Sequence, residues 1–430
     1  MATVVRLVNM PEQTGYAPLA VLGYCLSRTR FLDPVWAELD LGLKTVDHSP
    51  EAKLQSLLLS ILAGCRSIAQ INIRLQPEIA LTRAWGRDWT DQSNLARTLD
   101  AFTAQQVAQL RRGSEALFRR ESRTLRHDWA RDWLWLDIDL TPLPISKQAE
   151  GSTKGKFDRK NRYGRQLARV HAPQYHETLF SQVYPGRQES SPAYIPTLES
   201  LAAFLNLTPE QRQRTVLRSD AGFGSDANIN YALQAQWQVL TKNKGGRRPT
   251  IWAKRVASED WQTLRCDRWV ARVTTPPAYA CPTQSLVLRW LTPGGQTKHG
   301  VVVCSVTAWS MMETIVYYDG RGACETEIQA DKGGLRLERR RKKRLAAQEA
   351  LVLLTDIAHN LLAWMPSWMN LASPLASWGA TRLIEDVLCC PGRLYFDHDH
   401  LAEVQLNQLH PYAGAIAAGL EQLLAHFGHP

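Results

Sequence analysis

Over residues 1–130 the apolar positions recur at helical spacing, so this stretch is expected to be helical. Glu51 to Ala63 carries such a stripe and stops at Gly64, and Ser67 to Leu75 is a second helix. Ser93 is placed to cap a short helix, Asn94 to Phe102, and a longer one follows from Thr103 to Arg120. Two short helices joined by a turn permit a helix-turn-helix with Asn94 and Arg97 facing DNA, beside the plainer reading of a bundle with polar caps. At Trp133 the period becomes two. Leu134, Leu136, Ile138 and Leu140 alternate with Trp133, Trp135, Asp137, Asp139 and Thr141, the pattern of a strand with distinct faces. Further strands are expected at Gln166 to His171 and Glu177 to Tyr184, turning at Pro173, and then a helix from Pro196 to Asn206. Thr215 to Ser219 is a short strand ending in Asp220; Ser225 caps a helix to about Gln236, and Trp237 to Thr241 is the next strand. Strands followed by helix–strand units indicate a mixed α/β sheet.

From Lys242 to Thr307 the pattern is nearly all β. Strands are expected at Thr250 to Val256, Arg268 to Thr274, Ser285 to Leu291 and Gly300 to Val306, with turns at Gly245-Gly246, Pro276-Pro277 and Pro293-Gly294-Gly295. Beyond Tyr318 the chain turns helical to about Trp368, broken at Gly333-Gly334, and a mixed tail ends in a helix near Ala415 to Phe427. This order predicts five parts: a helical DNA-binding domain over 1–130, a first core segment over 131–241, a β-rich insertion over 242–307, a second core segment over 308–370 and a tail over 371–430.

Composition narrows the function. With 44% hydrophobic and 21% charged residues the chain is globular, not disordered. A formal net charge of +10 favours a polyanionic partner, nucleic acid before an anionic membrane surface. No positively flanked apolar segment opens the sequence, so no secretory signal is expected. The longest apolar tract, Ala346 to Met365, contains Glu349, Asp356, His359 and Asn360, and is expected to be a buried helix, not a membrane span. Eight cysteines without a Cys-x-x-Cys pair speak against structural zinc and fit a reducing cytoplasm.

Three acids stand out by context. Asp139 lies on the polar face of a strand whose other face is apolar, so it must be paired, protonated or bound to a cation. Asp220 ends a strand and is followed by Ala221-Gly222-Phe223, which leaves the carboxylate at the strand's C-terminal end, where ligands collect in α/β sheets. Glu325 belongs to the series Tyr318, Arg321, Glu325 and Lys332, whose offsets of 3, 4 and 7 place them on one helical face. A carboxylate between two cations suits polyphosphate: Glu325 to hold a divalent metal, Tyr318, Arg321 and Lys332 to handle the phosphate backbone. Three converging carboxylates suit a pair of Mg²⁺ ions ~4 Å apart, for which Mn²⁺ could substitute, in an in-line phosphoryl transfer. The uncompensated run Arg339, Arg340, Arg341, Lys342, Lys343 and Arg344 is expected to contact DNA phosphates. The same holds less strongly for the basic loop from Lys154 to Arg169 (Lys154, Lys156, Arg159, Lys160, Arg162, Arg165 and Arg169) and for Lys242, Lys244, Arg247 and Arg248. Asp397-His398-Asp399-His400 is taken as a turn, because no further metal ligands accompany it.

This pattern resembles the DDE insertion-sequence transposases that carry the Y-x2-R-x3-E-x6-K signature, the insertion-sequence-four superfamily. Tyr318, Arg321, Glu325 and Lys332 fit it at every spacing, and Asp139-Leu140-Thr141 and Arg218-Ser219-Asp220-Ala221-Gly222-Phe223 look like its two aspartate strands. Asp137-Ile138-Asp139 and the Asp-Ala-Gly-Phe run bring it nearest the subgroup named for insertion sequence thirteen-eighty. The resemblance spans roughly residues 50 to 370. It implies an α/β, RNase H-like mixed-sheet core with a β-rich insertion between the second aspartate and the glutamate. Asp139, Asp220 and Glu325 would be both catalytic groups and metal ligands. Members often place Trp after the signature Arg; here Gly322 follows Arg321, and Trp309 is a weak substitute. The implied activity is metal-dependent cleavage of double-stranded DNA at terminal inverted repeats, then 3′-hydroxyl transfer into target DNA. A homodimer in a prokaryotic cytoplasm, associated with the nucleoid, is the implied setting. The alternative is an inactive or domesticated derivative that only binds DNA; a third reading is a different nuclease on the same fold.

Overall fold

The computed structural model describes residues 3–43, 47–157, 160–273 and 277–429, with no account of the side chains of Lys156 and Lys160. The expectations placed on Arg159 and on the turn at Pro276 therefore lie outside the described residues. The chain divides into two compact units, Met1–Glu121 with Glu327–Pro430, and Ser122–Thr326.

The unit Ser122–Thr326 is built on one mixed sheet. Its strands are β1 (Leu134–Pro144), β2 (Thr153–Phe157), β3 (Lys160–Ala172), β4 (Glu177–Pro185), β5 (Thr215–Ser219) and β6 (Gln238–Lys242). They continue with β7 (Gln262–Arg265), β8 (Arg268–Arg272), β9 (Gln284–Leu291) and β10 (Thr297–Cys304). The spatial order is β2-β3-β1-β5-β6-β10-β9-β8-β7, and β4 also pairs with β3. β1 runs antiparallel to β3 but parallel to β5, and β5 parallel to β6. Three antiparallel strands followed by two parallel ones, joined through helices, make an RNase H-like core. The helices are α1 (Ser190–Leu205), α2 (Asp226–Gln234), α3 (Arg248–Ala253), α4 (Met311–Asp319) and α5 (Gly322–Gly333), the last crossing the division at Thr326.

The expected β-rich insertion, 242–307, supplies four strands that continue this sheet beyond β6. Val270, Leu286, Leu288 and Val302 from those strands share one buried cluster with Val216 of β5, Leu240 of β6 and Ile315 of α4. Within the insertion, the strand expected at Thr250 to Val256 is instead helix α3: Pro249 stands in its first turn and buries with Trp252. The expected basic loop over 154–169 is instead the β2–β3 hairpin. Arg165 and Arg169 are fully buried within it, so neither faces DNA.

The unit formed by Met1–Glu121 and Glu327–Pro430 is mainly helical, with a small three-stranded sheet that includes Gly392–Asp397 and His400–Leu406. The turn expected at Asp397 to His400 joins those two strands. Helix Pro50–Leu62 buries the predicted stripe, Leu54, Leu57, Leu58 and Ile61. Ser67 to Leu75 is helical only over Ile71–Leu75. The short helix is Gln92–Asp100, and its cap is Asp91, not Ser93: the Asp91 carboxylate accepts from Ser93 N at 2.8 Å. The apolar tract forms helix Leu345–Trp368, buried along most of its length. Among the described residues no helix is long and apolar enough to cross a membrane.

Candidate active site

The parallel register sets the first two acids level. Leu134 faces Thr215 and Ile138 faces Ser219, so Asp139 and Asp220 each follow the last matched pair at the C-terminal ends of adjacent strands. Asp220 then turns sharply, its carboxylate accepting from Gly222 N at 2.8 Å. A Cβ at Gly222 would lie 2.7 Å from Ser190 Oγ and 3.0 Å from Asp220 Oδ1, so glycine is what lets the turn close.

Charges crowd at this edge. Burial, then the Asp220 charge, push the Asp139 carboxyl up to about 6, with Glu325 adding to the rise and Arg321 opposing it. Cys324, just before Glu325, is buried, and burial followed by the charges of Asp137 and Asp139 holds its thiol well above the ordinary range. Glu325 itself is exposed and bound to Arg321 Nη2 at 2.5 Å. Burial works against the Arg321 charge, but Tyr318, Glu325 and Asp139 outweigh it and keep the guanidinium ionised. Arg321 Nη1 is buried without a hydrogen-bond partner among the described residues. It is a stranded donor on a guanidinium whose charge is felt by Asp137, Asp139 and Glu325.

Several expected site residues are placed differently. The signature does not lie on one continuous helix: Tyr318 ends α4, the chain breaks at Gly320, and Glu325 sits in the first turn of α5. Tyr318 is buried, 8% exposed. Lys332 forms an ion pair with Glu338 at 2.8 Å. Among the described residues no three His, Cys, Asp or Glu are gathered closely enough to hold a metal. Asp139 and Asp220 are neighbours by strand register, while Glu325 is engaged by Arg321.

The basic run over 339–344 is an irregular segment before helix Leu345–Trp368, not a helical face. Arg340 is buried and donates to the carbonyls of Leu335, Cys65 and Ser60, which removes it from any phosphate contact. Lys342 meets Asp100 at 2.8 Å and the Ala96 carbonyl at 3.1 Å, and Arg344 donates to the Asp100 carbonyl. These two cations satisfy the C-terminal carbonyls of helix Gln92–Asp100. Arg339, Arg341, Lys343 and Arg344 remain exposed. Arg97 is exposed on that same helix and donates to Asn94 Oδ1 at 2.6 Å. Arg248 of the weaker basic group is bound to Asp226 by two hydrogen bonds.

One pairing escapes sequence reasoning. Arg218 and Asp137 form a buried ion pair, with Nε to Oδ1 at 2.6 Å and Nη2 to Oδ2 at 2.8 Å. Both oxygens of Asp137 are thereby occupied. Lys242, half-buried with its ammonium 4.8 Å from the Trp290 ring centre, is pushed down by burial and by Arg268 and Arg321, while Asp220 opposes the shift. The signal for Arg218 is its place two residues before Asp220, as Asp137 stands two before Asp139: alternate strand positions share a face.

No curated protein matches the chain. Among solved structures it is similar to the cryo-EM structure of a piggyBac transposase synaptic complex with hairpin DNA, at 10% identity over 83% of this chain and 76% of that one, with a TM-score of 0.49. The family described as Transposase DDE domain group 1 matches residues 36–426, nearly the whole sequence and both compact units, and the chain belongs to that family of transposases.

Proposed function

We propose that this transposase cleaves DNA strands at the terminal inverted repeats of its element and joins the freed 3′-hydroxyls to target DNA, with Mg²⁺ as cofactor and Mn²⁺ as a working substitute. The carrying observation is the level placement of Asp139 and Asp220 at adjacent strand ends, with Asp139 crowded by Asp220 and Glu325. Hard carboxylate oxygens suit Mg²⁺, and a cation there would offset the burial and, after it, the Asp220 and Glu325 charges that push Asp139 up. Asp139 and Asp220 would hold the metal, joined by Glu325 on its release from Arg321, and the metal when bound supplies charge stabilisation at the transferring phosphate. Arg321 Nη1, the stranded donor, is suited to a phosphate oxygen. Buried Tyr318 acts electrostatically on Arg321, and with the sequence spacing this supports reading Tyr318, Arg321, Glu325 and Lys332 as the signature of the insertion-sequence-four superfamily. A homodimer acting on cytoplasmic DNA of a prokaryote completes this reading.

Asp220→Asn and Glu325→Gln are nearly isosteric, so both variants should fold and bind DNA while losing strand cleavage and transfer. Robust Mg²⁺-dependent cleavage by either would overturn the assignment. Between the acids of the first strand, Asp139→Asn should be inactive in a Mn²⁺-supported assay on end-containing DNA. Asp137→Asn should be merely impaired, and a reversed ranking would move the metal ligand to Asp137. The specific observation that favours the second reading, an inactive DNA-binding derivative, is the Glu325–Arg321 ion pair. Cleavage by the unaltered chain decides between them.

A further inference from the structure

We propose that Arg218 is a positioning residue that locks together the three segments bearing Asp139, Asp220 and Glu325; this rests on the active-site reading above. Arg218 belongs to β5, two residues before Asp220. Its fork takes both oxygens of Asp137, two residues before Asp139 on β1, at 2.6 and 2.8 Å. Its third nitrogen, Nη1, donates to the carbonyl of Tyr317 at 2.7 Å. That carbonyl lies in the last turn of α4, where helical carbonyls lack partners within the helix. Arg218 is thus at once the cross-strand partner of β1 and the C-terminal cap of the helix from which the chain turns to Arg321 and Glu325.

The fork is sealed on every side. Asp137 is fully buried and Arg218 is 5% exposed, so neither is available to metal or DNA. The guanidinium also stacks 4.9 Å from the Trp135 ring centre, and Trp135 packs on Tyr317 at 5.1 Å. Gly320 gives the geometry its tightest constraint. Its φ of −57° is available to any residue, yet a Cβ there would stand 2.8 Å from Arg218 Nη1. A side chain at the break between α4 and α5 would have to displace the pinned Arg218 guanidinium, and it would also crowd the Tyr317 carbonyl oxygen at 3.3 Å. A lysine in place of Arg218 carries the same charge but cannot reach two carboxylate oxygens and a helix end together.

The test compares Arg218→Lys, Gly320→Ala and the Arg218→Lys/Gly320→Ala double variant of the full chain. Single-turnover cleavage of end-containing DNA, DNA affinity, thermal midpoint and the Mg²⁺ concentration for half-maximal rate are measured for each. Either single change is expected to slow cleavage at least tenfold and to raise the Mg²⁺ requirement, with DNA affinity unchanged. The double variant should be no slower than the worse single one, because both changes break the same lock. Gly320→Ala keeps the question open to experiment if Arg218→Lys does not fold. Wild-type rates and Mg²⁺ dependence in folded Gly320→Ala, or fully multiplicative losses in the double variant, overturn the proposal. Glu325→Gln serves as the control: if it cleaves normally, the active-site reading fails. If it is dead while Gly320→Ala is normal, only the role of Arg218 fails.

Discussion

Charged side chains in this protein take their roles from what their polar atoms meet. Asp137 and Asp139 are two residues apart on the same strand face, but one is closed by an arginine fork and the other stands beside Asp220. Alternation exposes the shared face; only the partner across the sheet separates the roles. Arg340 makes the same point among the basic residues. Burial pushes its guanidinium down to about 10, a cost accepted because it satisfies the carbonyls of Leu335, Ser60 and Cys65. Arg340→Met should lower the unfolding free energy by about 3 kcal/mol, since buried acceptors are left unpaired. Urea denaturation measures it, and an unchanged midpoint would contradict the burial argument. Nothing in a run of six consecutive cations marks Arg340 as the one turned inward.

The elements most legible in the sequence are those with a clean period and a local stop. Thr215–Ser219 is legible to the residue, and Ser225 caps α2, its hydroxyl accepting from Asn228 N, as its position predicts. Strand β3 is only half legible, because its arginines read as a basic loop, whereas Leu167, Ala168, Arg169 and Val170 are all buried on its two faces. Helix α3 is hidden because isoleucine, tryptophan and valine suggest a strand, whereas Pro249 and a tertiary anchor decide otherwise. That anchor is Asp226, in the first turn of α2, which accepts from Arg248 at 2.8 and 2.9 Å, Tyr279 at 2.8 Å and Asn243 at 2.9 Å. The Arg248 hydrogen bonds, chiefly, hold its carboxyl down at about 2. A folded-state value below the unfolded one, about 3.9, means stability that is present above pH ~4 and is lost as pH falls through about 2. In urea titrations the gap between wild type and Asp226→Asn should therefore be widest above pH 5 and shrink steadily towards pH 2. A gap independent of pH would show that the network does not stabilise through its charge.

For the whole molecule, the sequence carries the transposase reading through three acids and a signature, yet the pairing of its first 121 residues with its last 104 is not legible there. That unit is made by contacts between distant segments, such as Lys342 with Asp100 and Arg340 with Cys65, which no local pattern announces. Its consequence is electrostatic. The chain carries a net charge of +10, but part of the basic run is consumed internally: Arg340 is buried and Lys342 caps a helix. Arg339, Arg341 and Lys343 keep exposed side chains and are the members of the run suited to DNA phosphates. Removing one cation that neutralises a phosphate should lower the slope of log K against log salt by roughly 0.9. Replacing Arg339, Arg341 and Lys343 together by Ser should reduce that slope by up to about 2.7 and weaken specific and nonspecific DNA alike. Because these side chains are exposed while Arg340 is buried, the thermal midpoint should stay closer to that of the parent than in Arg340→Met. Binding isotherms at several salt concentrations measure the slope directly. An unchanged slope in the folded triple variant would return this run to an ordinary solvated surface and place the DNA-binding charge elsewhere on the molecule.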